Sequence, residues 1–323
     1  MKAGIVGSGF MGKQHLASLQ KSGVESFCIC DSNLENAKIL AESCNGTAYA
    51  DFDEMLEKES LDMVSICVPT AFHNPFAIKA LEKGVAVLCE KPFAPNGELA
   101  QEIVDKSKET GTPLMVAHCI RFHKPYIYLR NAIKDGRFGK LLTLDMHRHS
   151  TMPLWSAGSW LENAKKSGGA VLDMQIHEID FIISVFGAPK AITAQGDYMQ
   201  CLTVYHFDDF DGAVSSHTSW RPHKTFPFTS TYDATFENAS IVFDGANITV
   251  YDRDNTVTNV IENETFEDYI FSDDPYDNEM RYFLDNLKSG SFEYCDPSEA
   301  VLAIKTATAS LNSIQEKKVI SLG

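Results

Sequence analysis

The chain has 323 residues, 44% apolar and 22% charged, the length and composition of an ordinary globular protein with room for two domains. A formal net charge of −16 argues against nucleic acid or an anionic membrane as the main partner, so an anionic ligand must be held by local geometry. The opening "MKAGIVGSGFMGKQ" is too short and too glycine-broken in its apolar run for a signal peptide, and nowhere do about eighteen apolar residues run together as a membrane span requires.

Short apolar runs at 2–6, 26–30, 63–67, 85–89 and 113–117 predict buried strands. Amphipathic stretches at 74–84 and 96–111 lie between them, the second stopped by Gly111. Apolar strands alternating with helices imply a parallel sheet covered on both faces. The first strand runs into Gly7-Ser8-Gly9-Phe10-Met11-Gly12, a G-x-G-x-x-G that opens a helix. Gly7 permits the tight turn, Gly9 lets the backbone approach a pyrophosphate, and Gly12 lets helix and strand pack closely. The helix N-terminal amides then hold the anion.

Asp31 ends the second strand, where a carboxylate accepts hydrogen bonds from the adenosine ribose and repels a 2′-phosphate. The following Ser32-Asn33 offers no arginine, so NAD is expected, with NADP as the alternative. In an open parallel sheet ligands bind beyond the carboxyl ends of the strands. That rule puts Pro69, His73, Glu90 and Lys91 on the cofactor side with Phe10 and Met11, and Pro92 restricts Lys91 to extended backbone. A surface ion pair at a strand end is the plainer reading of Glu90-Lys91.

After residue 120 the rhythm changes. A helix is expected at 123–135, a strand from 141, a long irregular stretch at 150–168 and a helix at 171–186. Period-two patterns from 190 to 262 predict antiparallel sheet, and two helices follow near 276–289 and 297–316. The expected architecture is an α/β Rossmann-type domain, 1–120, followed by an α+β substrate-binding and oligomerisation domain, 121–323, with an open, mainly antiparallel sheet. In "SGGAVLDMQIHEID", Asp173 and His177 are four apart and so share a helix face, with Asp180 nearby. Hydride transfer from a secondary alcohol requires removal of the hydroxyl proton, and histidine titrates in the right range for that work. Asp173 could orient the ring or bind a neighbouring hydroxyl, and a lysine ammonium could stabilise alkoxide charge.

The segments "GSGFMG", "CVPTAFH", "CEKP" and "SGGAVLDMQIHEID" together resemble the glucose–fructose oxidoreductase/inositol dehydrogenase/rhizopine catabolism (Gfo/Idh/MocA) family over essentially the whole chain. The resemblance implies that Lys91 lies between nicotinamide and the substrate hydroxyl, and that Asp173 and His177 complete the catalytic set. Gln175 stands where the family often has a small residue, which suggests a narrowed or polarised pocket. Arg121-Phe122 matches an arginine–aromatic pair of the family, for which a substrate role and a structural salt bridge are both open. Trp155 and Trp160 in the long loop offer flat apolar rings suited to a sugar or cyclitol. His147 and His149 share one face of a strand, but no third ligand appears at ligand-like spacing and no metal is expected.

These observations lead to a cytoplasmic NAD-dependent dehydrogenase of a small polyhydroxylated substrate, a sugar or cyclitol. Its eight cysteines, without C-x-x-C spacing, read as reduced core thiols. An open sheet face buried against another subunit predicts a homodimer or homotetramer. The resemblance leaves three other readings: an NADP-dependent sugar or diketone reductase, a redox-assisted glycoside lyase or hydrolase, and a non-catalytic ligand sensor.

Overall fold

A computed structural model of the chain describes residues 1–152, 167–253 and 256–323. They form two compact units. The first comprises residues 1–123 with 267–301, the second 124–266 with 302–323. Among the described residues no helix is long and apolar enough to cross a membrane, and seven of the eight cysteines are buried, Cys67 being half-buried.

The first unit is built on six parallel strands: β1 (Lys2–Val6), β2 (Ser26–Cys30), β3 (Thr47–Tyr49), β4 (Met63–Ile66), β5 (Ala86–Glu90) and β6 (Leu114–Ala117). Their order is β3-β2-β1-β4-β5-β6, a doubly wound sheet. Burial on both faces explains the near-continuous apolar runs. Strand β3 left little trace in the sequence because it is a three-residue edge strand. The helices are α1 (Phe10–Lys21), α2 (Leu34–Glu42), α3 (Phe52–Lys58), α4 (His73–Glu82) and α5 (Gly97–Thr110). Helix α5 starts on Asn96, whose side chain accepts the Leu99 amide, and stops at Gly111 in the left-handed region, φ +66°.

Residues 267–301 cluster with this unit, although the expected division put everything after 120 in the second domain. The reason is chemical as well as apolar. The Asp277 carboxylate accepts from Ser18 Oγ at 2.7 Å and Lys21 Nζ at 2.8 Å on α1. Tyr269, Tyr282 and Tyr294 surround the Phe122 ring at 5.3–6.3 Å between centroids. Such long-range returns of the chain carry no local periodicity.

The second unit holds α6 (Lys124–Asp135) and a nine-stranded sheet. Its members include β7 (Leu141–Thr151), β8 (Ala191–Gly196), β9 (Gln200–His206), β10 (Ala213–Arg221) and β11 (Thr229–Phe236). The sheet is mainly antiparallel, but β7 and β10 pair in parallel across their whole length, His147 opposite His217. One face is covered by α6 and α7 (Ile176–Phe186), with Tyr126, Phe181, Tyr232 and Phe243 edge-on in the core. The other face carries the alternate positions Asp145, His147 and His149 of β7, which are exposed or half-buried.

Candidate functional site

In the first unit the strand order reverses between β1 and β4, so their carboxyl ends form the crevice typical of nucleotide sites. Gly7 occupies it at φ +99°, where a Cβ would stand 2.6 Å from the Cys67 carbonyl oxygen. A Cβ on Gly12 would stand 1.9 Å from the Gly7 carbonyl oxygen, so helix and loop approach only as glycines. Gly9 is the contrary case: nothing described lies within 4 Å of where its Cβ would be, leaving that side of the turn open. Gly9 also starts α1 without a side-chain cap or an acid in the first turn. By contrast Asn33, Asp51 and Asn96 cap α2, α3 and α5 with their own side chains. A pyrophosphate fits this unblocked positive helix end.

The Asp31 carboxylate accepts from the Ser8 amide at 2.9 Å and from Ser8 Oγ at 2.6 Å. Its other oxygen accepts from the Asn33 amide at 2.9 Å. The acid at the end of β2 thus braces the glycine turn, and its remaining lone pairs can accept ribose hydroxyls. Ser8 was not expected in this role. Phe10 is 66% exposed beside the turn, and Pro69, also exposed, opens the short helical turn Thr70–Phe72 after β4.

At the end of β5, Glu90 is not a surface ion-pair partner. It is 4% exposed, and Oε1 meets His15 Nε2 at 2.8 Å while Oε2 accepts from the Lys91 amide at 2.9 Å. The other His15 nitrogen meets Ser65 Oγ at 2.6 Å. Burial would raise the Glu90 carboxyl, but the hydrogen bond and charge of His15, with Lys91 and His73, hold it below its ordinary value. Burial would lower His15, yet Cys67 and Glu90 outweigh it and hold the ring well above its ordinary value. The result is a buried His15–Glu90 pair that fixes the backbone of Lys91 through its amide, and the Lys91–Pro92 bond that follows is cis. His15 gave no signal in the sequence, because only the adjacency of β1, β4 and β5 brings α1 over Glu90.

His73 departs from the expected cofactor contact. It is 1% exposed, with Nδ1 2.9 Å from the Pro92 carbonyl and Nε2 2.8 Å from the Val68 carbonyl. The buried ring lies between the carbonyls of the loops after β4 and β5 and ties them together, so its place is inside the edge rather than on its surface. Arg121 likewise resolves toward the structural alternative. It is 2% exposed, donates to the Tyr294 carbonyl at 3.0 Å and pairs with Glu299, while Tyr294 Oη donates to its carbonyl. Trp155 and Trp160 lie outside the described residues.

In the second unit the candidate helix begins with Gly168 and Gly169 at φ +70° and +64°. Gly169 is obligatory, since a Cβ there would stand 2.3 Å from the Tyr198 carbonyl oxygen. Residues Val171–Gln175 wind as a π-helical turn before α7. Such wide turns are frequent at functional sites and shift side chains off the regular i, i+4 alignment. Asp173 is half-buried and His177 8% exposed. Gln175 does not line a pocket as expected. It is fully buried, and Nε2 donates to the Ser216 carbonyl at 3.0 Å and to Ser216 Oγ at 2.9 Å, pinning the wide turn to β10. Glu178, next to His177, is buried against Arg148 of β7, with Nε and Nη2 each 2.8 Å from Oε1. Burial dominates there and keeps the Glu178 carboxyl above its ordinary value despite Arg148.

Comparison with known proteins gives this arrangement a context. Residues 1–118 match the model of an oxidoreductase family with an NAD-binding Rossmann fold, and residues 126–245 match the Gfo/Idh/MocA C-terminal domain. The chain is 29% identical over 211 residues to an inositol 2-dehydrogenase of Corynebacterium glutamicum, covering 64% of this chain and 60% of that protein. It is 30% identical over 193 residues to a 2,7-anhydro-N-acetylneuraminate hydratase of Mediterraneibacter gnavus, covering 59% and 51%. The chain therefore spans between half and two thirds of these relatives' length. A levoglucosan dehydrogenase solved with NADH and levoglucosan shares the fold, with a TM-score of 0.85, 20% identity and coverage of 100% and 99%.

Proposed function

The chain belongs to the Gfo/Idh/MocA oxidoreductase family, and from that premise we propose that it is an NAD-dependent dehydrogenase of a secondary hydroxyl on a sugar or cyclitol. The observation that carries the reading is the end of β5. There a buried Glu90–His15 pair locks the backbone of Lys91 on the edge where the glycine turn opens. A lysine with no chemical task does not need such an anchor. Support for the substrate class comes from relatives named for inositol and levoglucosan.

When bound, NAD⁺ supplies the two-electron acceptor that takes the hydride from the carbinol carbon. Asp31 favours the unphosphorylated ribose, because a 2′-phosphate there would face a carboxylate already held by Ser8. The Lys91 ammonium stabilises alkoxide character on the substrate oxygen. His177 takes the hydroxyl proton on a ring nitrogen as the carbonyl forms. Asp173 orients the substrate or the ring. Glu90 anchors the backbone of Lys91, and Glu178 ties the helix that carries His177 to Arg148 of β7. An oligomer formed through the exposed sheet face belongs to the same reading.

The test is a panel of cyclitols, aldoses, keto-sugars and sugar acids with NAD⁺ or NADP⁺, followed by absorbance of the reduced cofactor. The expected result is reduced NAD from one polyol class and much weaker turnover with NADP⁺. The hydratase relative favours one second reading, in which the hydride is returned within each turnover. Substrate conversion without net NADH would select it.

A further inference from the structure

The exposed face of the second unit's sheet carries a constellation that hydride transfer does not use. We propose that His147, His149 and His217 form a binding site for one divalent transition-metal ion of the zinc class. His147 and His149 are alternate residues of β7, and the parallel pairing of β10 sets His217 directly beside His147. The three rings converge. Their centroids are 5.8, 6.0 and 4.8 Å apart, and one ring nitrogen from each lies within 4.8 Å of the other two. Three nitrogens at zinc–nitrogen distances of about 2.0–2.1 Å in a tetrahedron stand about 3.4 Å apart. Small rotations of rings that are only half-buried bring these to that spacing.

Ring packing alone accounts poorly for the cluster. All three rings are edge-to-face, at 70–75° between planes, which a set of phenylalanines would serve with more apolar burial. Instead His149 Nε2 is buried and has no hydrogen-bond partner among the described residues, a cost that a metal bond removes. Asp145 and Asp233 face each other one step along the same sheet face and supply negative charge around a divalent ion. Arg221 is the opposing charge, and its guanidinium lies 5.5 Å over the Phe226 ring.

The site is separate from the candidate catalytic helix. Arg148, between the two β7 histidines, points through the opposite face to Glu178 of α7, so His147 and His149 face away from that helix. Three imidazoles with no thiolate suit zinc, nickel, copper or cobalt over magnesium or calcium. The ion would cross-link β7 to β10, the one parallel pair among the described strands of the sheet.

The experiment titrates chelator-treated, buffer-exchanged full-length protein with Zn²⁺ alone, by calorimetry and by metal analysis after gel filtration, with Co²⁺ as a visible-spectrum probe. The expected result is one ion per chain. His217→Ala and, as a size-conserving check, His217→Gln should weaken zinc by more than about 100-fold, beyond the range of outer-shell losses. Both variants should keep the wild-type far-ultraviolet spectrum without metal. Zinc stabilisation on heating should disappear with the binding. No zinc retained by the wild type, or equal affinity in wild type and a folded His217 variant, overturns the site.

Discussion

Each unit sets a glutamate beside a candidate catalytic residue, and each buries that glutamate against a cation from another element. In the first, Glu90 precedes Lys91 and meets His15 of α1; in the second, Glu178 follows His177 and meets Arg148 of β7. The cations differ in kind. Arg148 keeps its charge at every accessible pH, whereas His15 is a titrating group whose charge depends on its surroundings. The carboxyls also move in opposite directions. Burial is the largest influence on both, but His15, Lys91 and His73 overcome it at Glu90, while Arg148 does not overcome it at Glu178. The same device thus lowers the carboxyl at the end of β5 and leaves it raised on the candidate catalytic helix.

The largest expected stability effect comes from breaking the Glu178–Arg148 pair. Arg148→Met leaves Glu178 buried without its cation and should cost about 3–5 kcal/mol in chemical denaturation, whereas Arg148→Met/Glu178→Leu should recover most of it. A single variant within about 1 kcal/mol of wild type would remove the pair from the account. At the other pair His15→Gln should cost about 1.5–3 kcal/mol near neutrality, the scale of a hydrogen bond to a charged group.

That second loss should depend on pH in a way the first does not. The raised His15 value contributes stability that is full below its unfolded pKa and fades as pH rises through the folded one. The lowered Glu90 value contributes stability that is present above its unfolded pKa and fades as pH falls through the folded one. Wild type and His15→Gln should therefore differ most between those limits and converge beyond them. Glu178 has the reverse sign: its raised value costs stability above the folded pKa, and that cost fades as pH falls toward the unfolded one. Infrared carboxyl bands in Glu90→Gln and Glu178→Gln should show Glu178 taking its proton first on acidification. The smallest effect is at the wide turn, where Gln175→Ala should cost about 0.5–1.5 kcal/mol by removing the buried hydrogen bonds to Ser216, whose hydroxyl keeps Tyr205.

What could be read from the sequence was what lies within one or two adjacent elements. The five longer parallel strands, the glycine turn, Asp31 and the helix stop at Gly111 are local patterns, and the structure places them within a residue or so of expectation. The contributors brought in from a distance were silent. His15 reaches Glu90 across 75 positions, and His217 reaches His147 through a parallel pairing that period-two patterning reads as antiparallel. Buried polar groups mislead in the same way. Gln175, His73 and Arg121 have the chemistry of ligand contacts, but each has spent it on internal carbonyls, hydroxyls or carboxylates. Sequence gives a side chain's chemistry without its direction.

The central claim is that Lys91 serves chemistry at an edge that binds NAD. It is tested most directly by Lys91→Ala, with NADH formation from an active polyol and NAD⁺ affinity measured on the same preparation. The account predicts that turnover falls by about 10²–10⁴-fold while the affinity stays nearly unchanged. Wild-type turnover in that variant, or loss of NAD⁺ binding in proportion to the lost activity, would contradict it.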